Sequence, residues 1–326
     1  MTPTDLRAAL ARFPSVPFIE APTPVEPMTR LSSAFAAPST LLVKRDDAIP
    51  FGFGGNKVRK LALVAARARD QGADTLITAG GVQSNHARAT ASAAAKLGMR
   101  AILVANGAPQ DSPTANARLD RLLGAQVVHV ATREERQPKM DEIAARCRDD
   151  GHRPFVIPIG ASTPLGALAF ALAIAELVDQ IPPPDFIIHS TSSGGTQAGL
   201  VAGCRLLELP TRIIGISADA SSSSLTNDIQ AILDGVADML PQHRVLLGSG
   251  TAIDVDDGFV GAGYGIPTES SQEALELTAR TEALFLDPTY TAKAMAGLMA
   301  RVRQGELRSG QTILFWHTGG QVGLFA

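Results

Sequence analysis

Lys57 and a serine-glycine loop are the two features of this sequence best suited to chemistry. Lys57 lies in the segment GFGGNKVRKL (52–61), at the predicted first turn of a helix that follows a glycine-rich approach. The helix dipole opposes an ammonium ion at a helix N-terminus, so the neutral amine that imine chemistry requires is easier to reach there. Lys57 is therefore a candidate nucleophile, with an ordinary solvated lysine as the alternative.

The loop STSSGGTQAG (190–199) follows a predicted strand and precedes a predicted helix. Its small residues expose backbone N–H groups, and the hydroxyls of Ser193 and Thr196 together with the positive end of the helix would cradle one phosphate group. A flexible serine-glycine turn is the alternative. The loop contains no lysine and no Mg²⁺-binding carboxylate, which favours a held monophosphate over a hydrolysed triphosphate. A phosphate site combined with an imine-forming lysine indicates pyridoxal phosphate as the cofactor.

A third polar segment follows the predicted strand TLITA (75–79) at a junction between strand and helix. It contains Ser84, Asn85 and His86. A hydroxyl, an amide and the free N–H groups of a helix N-terminus suit a substrate carboxylate. A simple helix N-cap made by Ser84 is the alternative.

Residue spacing argues against several other kinds of site. Both GFGGNK (52–57) and GAGYG (261–265) lack the third glycine of the dinucleotide fingerprint, and no segment matches a P-loop or a GxSxG elbow. The six histidines have no partner at metal-ligand spacing, and Cys147 and Cys204 form no CxxC pair. We therefore expect neither nicotinamide nor serine-hydrolase chemistry and no metal, with a metal site assembled from distant residues left open.

Alternating helices and strands must position these segments. Apolar residues recur at helical spacing from Val58 to Ala65, Gly72 caps that helix, and the buried strand TLITA follows. An alanine-rich helix from Ser84 to Gly98 then leads to the strand AILVAN (101–106). The same pattern recurs before the strands QVVHV, FVIPI, DFIIHS, IIGISA and ILFWHT. Helices between strands predict an α/β fold with parallel sheets and right-handed crossovers.

Ligands of parallel α/β sheets gather where strands end and helices begin. Four polar segments follow predicted strands, and we expect them to face one cleft: GGVQSNHAR (80–88), STSSGGTQAG (190–199), LDPTYTAK (286–293) and HTGGQVG (317–323). The charged run REERQPK (133–139) is interpreted as a solvated loop or helix face and is assigned no function.

The composition limits the class of protein. The 326 residues are 45% hydrophobic and 19% charged, which is typical of a compact globular chain. A formal net charge of −3 provides no basic field for nucleic acid. Asp5, Arg7 and Arg12 interrupt the apolar core that a signal peptide needs, and the apolar run 165–175 is too short to cross a membrane. We therefore expect a cytoplasmic protein without a membrane or nucleic-acid partner.

These motifs resemble, in order and spacing, those of the D-cysteine desulfhydrase and 1-aminocyclopropane-1-carboxylate deaminase family, which are pyridoxal-phosphate enzymes of the tryptophan synthase β fold type. The resemblance runs from KRDD at residue 44 to the C-terminus and rests on GFGGNKVRKL, GGVQSNHARATASAAAKLG, SSGGTQAG, GAGYGIPT, FLDPTYTAKAMAGL and FWHTGG. It implies a two-domain α/β protein of fold type II with open, twisted, mainly parallel sheets flanked by helices. Residues 1–54 and 161–326 would form the large cofactor-binding domain, and residues 55–160 the inserted small one.

The resemblance also implies a role for each motif residue. Lys57 would be the Schiff-base lysine, and Asn56 would lie beside the cofactor. The other cofactor-binding residues would be Ser193, Gly194, Gly195 and Thr196 at the phosphate, Tyr290 against the pyridine ring, and Thr291 and Thr318 near its nitrogen. The substrate would be held by Ser84, Asn85, His86 and Tyr264, with Ser84, Tyr264 and Tyr290 joining Lys57 as candidate catalytic residues. Packing is the alternative for the tyrosines, although the chain has only two and both fall on motif positions.

One residue departs from part of the family. The deaminase branch resembles DPVYEGK, in which a glutamate after the tyrosine can protonate the pyridine nitrogen, whereas this chain has Thr291. A hydroxyl cannot hold a pyridinium. Opening a cyclopropane ring needs a strong electron sink, but β-elimination of a good leaving group does not need a fully protonated ring. Thr291 and the SNH triplet therefore favour the desulfhydrase branch.

The resemblance implies a β-eliminating lyase that acts on a small amino acid, with conversion of D-cysteine to pyruvate, ammonia and sulfide as the first expectation. The alternative substrates are cysteate, other β-substituted alanines and, last, 1-aminocyclopropane-1-carboxylate. A sulfonate would require an extra cation in the pocket, and the sequence does not show whether Arg45, Arg59 or Arg88 turns inward. A racemase and a non-catalytic protein that binds an amino acid or phosphosugar are further alternatives. A homodimer is implied by the family alone.

Overall fold

The structure, a computed structural model, describes residues 1–34, 39–248, 250 and 252–326. The helices are α1 (Pro3–Leu10), α2 (Thr29–Ala34), α3 (Asn56–Asp70), α4 (Asn85–Leu97), α5 (Ala115–Leu122), α6 (Arg136–Asp149), α7 (Pro164–Gln180), α8 (Gly195–Leu206), α9 (Ser222–Met239), α10 (Arg244–Leu247), α11 (Glu269–Glu282) and α12 (Thr291–Arg303). The strands are β1 (Val25–Pro27), β2 (Thr40–Arg45), β3 (Thr75–Gly81), β4 (Arg100–Asn106), β5 (Gln126–Val130), β6 (Pro154–Val156), β7 (Phe186–Thr191), β8 (Arg212–Ser217), β9 (Asp254–Asp256) and β10 (Thr312–His317). Within the described residues, no helix is both long and apolar enough to cross a membrane.

The strands form two open sheets. The larger has the order β1-β2-β10-β7-β8-β9 and the smaller the order β5-β4-β3-β6. Neighbouring strands are parallel in both sheets except for β1 and β2. The expected α/β class with mainly parallel sheets flanked by helices is confirmed. The four-stranded sheet uses only residues 75–156, while the domain boundaries at 54/55 and 160/161 stay a prediction.

Helices cover both faces of the six-stranded sheet. In β7 the side chain of Ile187 joins the cluster that includes α7 and α8, and its neighbour Ile188 joins the cluster that includes α12. A strand buried on both faces has no polar side, which is why the first half of β7, residues 186–188, is an unbroken apolar run. The helices α7 and α8 approach closely at Gly199, where a Cβ atom would lie 2.2 Å from the carbonyl oxygen of Ala167.

Two details differ from the elements expected from the sequence. The predicted strand FVIPI pairs only over β6, because Pro158 has no N–H group to continue the ladder. The strands β1, β2 and β9 were not predicted at all. Two of these strands have three residues each, and all three lie towards the edges of the six-stranded sheet.

A buried ionic cluster fixes the first turn of α3 to the larger sheet. The Arg59 guanidinium donates to both carboxylate oxygens of Asp46, at 2.9 and 3.0 Å, and to Glu176 at 2.9 and 3.0 Å. Lys44 Nζ donates to Glu176 at 2.6 Å, and Trp316 Nε1 donates to Asp46 at 2.8 Å. Because each buried charge has an opposite partner and further hydrogen bonds, the cluster holds α3, α7, β2 and β10 in one arrangement.

Candidate active site

A cavity of about 160 Å³ lies where the strands of both sheets end. Its wall is built from the first turn of α3, from the ends of strands of both sheets and the segments that follow β3 and β5 to β10, and from the loop between α11 and α12 that carries Tyr290. The predicted site residues that it brings together are Asn56, Lys57, Ser84, Asn85, His86, Ser193, Gly194, Thr196, Tyr264, Tyr290 and Thr318. The strand ends of parallel sheets therefore predicted three of the four wall segments correctly, whereas LDPTYTAK (286–293) follows α11 and not a strand.

Close backbone contact positions the start of α3, and with it Lys57. Gly55 has a φ of +97°, and a Cβ atom there would lie 3.0 Å from the carbonyl oxygen of Thr318. The N–H group of Asn56 donates to that same oxygen at 2.9 Å. The Asn56 side chain donates to Thr196 Oγ1 at 3.0 Å and so links the start of α3 to the start of α8. Glycine is needed at position 55 because a side chain would separate these two backbone segments.

Lys57 is paired with a second buried lysine. Burial lowers the pKa of Lys57 to about 8, against the opposing effect of a hydrogen bond with Lys60. Burial lowers the pKa of Lys60 well below its ordinary value, and the charge of Lys57 acts in the same direction. Neither amine forms an ion pair in the described part of the chain. The Lys60 amine donates to Gly160 O at 3.0 Å and to Ser162 Oγ at 3.3 Å, which leaves its lone pair to accept from Lys57.

The start of α8 forms a cradle beside Lys60. Gly194 caps the helix with a φ of +75°, a conformation that allows the preceding serine loop to turn into the helix. Ser162 Oγ lies 2.8 Å from Ser193 Oγ and accepts the N–H group of Gly195 at 3.2 Å. The N–H groups of Thr196 and Gln197 have no acceptor among the described residues. Free N–H groups at a helix start, beside an amine that has no ion-pair partner among the described residues, suit an anion.

The start of α4 offers a second set of free donors. Ser84 Oγ caps the helix by accepting from the N–H group of Ala87 at 3.2 Å, so the N-cap alternative is also realised. Asn85 Oδ1 accepts from Asn116 at 2.9 Å. The N–H groups of Asn85 and His86 have no acceptor in the described residues, and both residues line the cavity. These two groups, rather than the cap itself, are available to a carboxylate.

The ring of His86, a residue of the cavity wall, has its proton on Nε2 and, within the described residues, an unpartnered acceptor at Nδ1. Thr78 donates its hydroxyl proton to Ile157 O at 2.8 Å, so its contact with His86 Nε2 at 2.8 Å requires the proton to be on Nε2. His86 Nδ1 has no partner among the described residues. Burial lowers the pKa of His86 well below its ordinary value, and the charges of Lys57 and Lys60 add to this effect. The neutral ring would repel a carboxylate, so any carboxylate contact at this residue must use the backbone N–H group.

The two tyrosines meet in the cavity wall. Their hydroxyl oxygens lie 2.5 Å apart, and their rings cross at 74° with centroids 5.7 Å apart. Burial raises the pKa of Tyr264 and raises that of Tyr290 well above its ordinary value. Both hydroxyls therefore keep their protons at neutral pH. One proton forms the mutual hydrogen bond, and the other remains available to a ligand.

Two predicted residues do not reach the cavity wall. Thr291 is fully buried, and its hydroxyl donates to Asp287 Oδ1 at 2.7 Å while accepting the N–H group of Asp287 at 2.7 Å. Asp287 also accepts the N–H groups of Thr289 and Tyr290, at 3.0 and 2.9 Å. Thr291 therefore holds the loop that carries Tyr290. Gly195 is also absent from the cavity wall, where its neighbours Gly194 and Thr196 both lie.

The sequence interpretation missed several residues of the wall. Arg133, Arg136 and Asp219 line the cavity, although Arg133 and Arg136 belong to the run that was interpreted as solvated. Both arginines follow β5, so the rule that located the other loops also applied to them. The arginines considered earlier lie elsewhere: Arg45 pairs with Asp47 and Glu26, Arg59 belongs to the ionic cluster, and Arg88 donates to the carbonyl groups of Gly52 and Gly54.

The polar groups of the site that lack a partner can be compared with the groups of a candidate cofactor. The α8 cradle has free N–H donors, and Lys60, which lies behind the wall and contacts the cradle through Ser162, has no anion partner among the described residues; both features suit a phosphate group. Lys57 has a pKa of about 8, so part of its amine is uncharged at neutral pH and can attack a carbonyl group. Thr318 is a further cavity hydroxyl beside the start of α3. These residues fit pyridoxal phosphate, which has a phosphate, an aldehyde and a ring nitrogen.

Comparison with known proteins also indicates a pyridoxal-phosphate enzyme. The profile of the family described as "Pyridoxal-phosphate dependent enzyme" matches residues 16–319. Two curated relatives are D-cysteine desulfhydrases of Klebsiella pneumoniae, one from strain 342 and one from subsp. pneumoniae strain ATCC 700721 / MGH 78578. Each is 38% identical over 325 residues, which covers 97% of this chain and 97% of the relative.

Solved structures with a similar fold include one described as an ACC deaminase homologue. It matches with a TM-score of 0.89 and 35% identity, covering 98% of this chain and 96% of its own. Threonine deaminase isoform 2 from Solanum lycopersicum, in its processed form, matches with a TM-score of 0.69 and 17% identity, covering 98% and 84%. At that identity the second match supports the fold alone.

Proposed function

The chain belongs to the family of pyridoxal-phosphate dependent enzymes, and on this basis we propose that it is a lyase that removes the β-substituent of a small amino acid, with D-cysteine as the leading substrate. Its cofactor is pyridoxal 5′-phosphate. The name of the relatives that are 38% identical supports the choice of D-cysteine. The single observation that carries the proposal is Lys57, an amine with a pKa of about 8, in the same cavity wall as a phosphate cradle and a carboxylate site.

The residues that would hold the cofactor follow from their unpaired groups. The N–H groups of Thr196 and Gln197 and the amine of Lys60 would bind the phosphate. Thr318 would face the ring nitrogen, because the hydroxyl of Thr291 is already committed to Asp287. Tyr290 would lie against the ring. Ser193 would position the cradle through its contact with Ser162.

When bound, the cofactor supplies an electron sink for the negative charge that develops at the substrate α-carbon. The free N–H groups of Asn85 and His86 would bind the α-carboxylate. The Lys57 amine, with a pKa of about 8, would take the α-proton and later return a proton. The spare hydroxyl proton of the Tyr264 and Tyr290 pair would be donated to the departing β-substituent. D-cysteine and water then give pyruvate, ammonium and hydrogen sulfide.

The test is the visible absorption of the holoenzyme together with pyruvate release from D-cysteine. Lys57→Ala should lack the absorption band of the lysine-bound cofactor, whereas Lys96→Ala, at an exposed lysine on α4, should keep both the band and the activity. Pyruvate and sulfide formed in equal amounts from D-cysteine would support the proposal. An absorption band without pyruvate release from D-cysteine would rule out D-cysteine as the substrate. Absence of pyruvate from every β-substituted alanine would rule out the lyase activity.

We also propose that the protein is a cytoplasmic homodimer in which residues 55–160 form the small domain. Cys147 and Cys204 are buried and free, which agrees with a reducing compartment. A dimer should have twice the chain mass of 34.0 kDa in light scattering. A mass equal to that of one chain would contradict the dimer.

A further inference from the structure

Arg133 lies over the tyrosine side of the cavity. Its guanidinium carbon is 4.7 Å from the centre of the Tyr264 ring, and Nη1 is 3.4 Å from a carboxylate oxygen of Asp219. Arg133 follows β5 of the smaller sheet, whereas Asp219 follows β8 of the larger one. The charge of Arg133 therefore has a partner across the cavity.

Arg136 lines the same wall without such a partner. Its side chain donates from Nε to the carbonyl oxygen of Arg133 at 3.0 Å, and it forms no ion pair in the part of the chain that the structure describes. Burial lowers the pKa of Arg136, and the charge of Arg133 adds to this effect. The formally charged side chains of the described wall are Lys57, Arg133, Arg136 and Asp219. Asp219 is paired with Arg133, and the charges of Glu134 and Asp219 act on Arg136 without forming an ion pair with it, so among the described residues Arg136 has no carboxylate in contact.

The proposed substrate does not neutralise this charge. The α-carboxylate already has the N–H groups of Asn85 and His86, and the cofactor phosphate has the α8 cradle. The thiol of cysteine is uncharged at neutral pH, with an ordinary pKa of about 8.5. One uncompensated guanidinium matches one anionic group, and arginine binds planar or multi-oxygen anions through two donors at once.

We propose that Arg133 and Arg136 form a second anion subsite that accepts a singly charged β-substituent. The substrate class then includes amino acids with a β-sulfonate or β-sulfinate group. This inference rests on the proposed lyase function and deepens it. For the sulfonate, cysteate, the Cβ–S bond breaks with its electron pair on sulfur, and cysteate and water give pyruvate, ammonium and hydrogen sulfite. No oxidant or reductant is required.

The test compares Arg136→Gln with the wild-type holoenzyme for both enantiomers of cysteate and for D-cysteine. Losing one charge-assisted contact should lower kcat/KM for cysteate by about 10-fold to 100-fold and for D-cysteine by less than about 3-fold. Arg136→Lys keeps the charge and should recover part of the loss. Arg148→Gln removes an exposed charge from the last turn of the same helix and serves as the matched control.

A binding measurement separates this subsite from the catalytic proposal. The probe is 3-sulfopropanoate, which has a carboxylate and a β-sulfonate but no amine and cannot react. Calorimetric binding to the wild-type holoenzyme that weakens by about 10-fold or more in Arg136→Gln would support the subsite even if D-cysteine gave no pyruvate. Equal losses for cysteate and D-cysteine, or 3-sulfopropanoate binding that is unchanged in Arg136→Gln, would overturn it.

Discussion

The amine of Lys60 should select the phosphorylated form of the cofactor. In the structure it contacts Ser162, which in turn binds Ser193 and the N–H group of Gly195 at the start of α8. Lys60 has no anion partner among the described residues, and its pKa is lowered well below the ordinary value by burial and by the charge of Lys57. A phosphate bound at the cradle would restore its ammonium form. The perturbation that tests this is Lys60→Met, which keeps a side chain of similar length and removes the charge.

The size of the effect follows from the cost of leaving a buried charge unpaired. Removing one partner of a buried, hydrogen-bonded charge pair costs about 2–5 kcal/mol. Lys60 must first gain a proton against its lowered pKa, so the lower end of that range applies. A loss of about 2 kcal/mol corresponds to about a 30-fold higher Kd for pyridoxal phosphate.

The assay is an absorbance titration of the apoprotein with pyridoxal phosphate and, separately, with pyridoxal, which lacks the phosphate. Lys60→Met should raise the Kd of pyridoxal phosphate by about 30-fold and that of pyridoxal by less than about 3-fold. Lys293→Met is the matched control, because Lys293 is a fully buried lysine that donates to the carbonyl oxygens of Val260 and Gly263. If Lys60→Met weakened both ligands equally, the assigned contact between Lys60 and the phosphate would be refuted.

Three further predictions concern Lys57, Glu176 and Thr291. The rate at which the apoprotein binds pyridoxal phosphate covalently should rise with pH around a midpoint near 8, because only the neutral Lys57 amine reacts. Stopped-flow absorbance would measure this rate, and a midpoint near the ordinary lysine pKa of 10.5 would contradict the prediction. Burial alone would raise the pKa of Glu176, but Arg59 and Lys44 lower it to about 2. The contribution of ionised Glu176 to the free energy of unfolding should therefore be complete above pH 4.5 and be lost as the pH falls towards 2. Urea unfolding should also show that Glu176→Gln lowers the free energy of unfolding by about 3 kcal/mol, against less than about 1 kcal/mol for the half-exposed Asp179→Asn. Thr291→Val should destabilise the fold by about 1–3 kcal/mol, because the buried N–H group of Asp287 loses its acceptor and the Asp287 carboxylate loses one of its donors. Thr318→Val should leave stability unchanged and lower kcat; the reverse pattern would show that Thr291 faces the cofactor.

The sequence predicted the cleft because strand ends and helix starts are local features. The Ser193 to Thr196 loop and the Ser84 to His86 junction each follow an apolar run, and parallel pairing brings such ends to one edge. Lys57 was predicted separately, from its place at a helix start after a glycine-rich segment. Donor and acceptor roles within the cleft depend on contacts between distant residues. The proton on His86 is fixed by Thr78 and Ile157, and the hydroxyl of Thr291 is engaged by Asp287.

Charged residues were the other gap in the sequence prediction. The pattern REERQPK does not distinguish an arginine that faces solvent from one that faces a cavity, because helix α6 has charges on several sides. A role for Lys60 was not predicted, because nothing in GGNKVRKL shows that its amine contacts a loop about 100 residues later in the chain. Both cases required the tertiary structure.

The ionic cluster at Arg59 has a consequence for motion across the cleft. Arg59 is two residues after Lys57 and is bound to Asp46 and Glu176, so the reacting amine is fixed to the frame of the larger sheet. The carboxylate donors at Asn85 and the cation at Arg136 follow strands of the smaller sheet. A displacement of the smaller sheet would therefore carry these carboxylate donors and Arg136 with it. The first turn of α3, although it falls within residues 55–160, would stay with the larger sheet and keep the cofactor attachment in place. Substrate could enter and product could leave without loosening the bond between cofactor and protein.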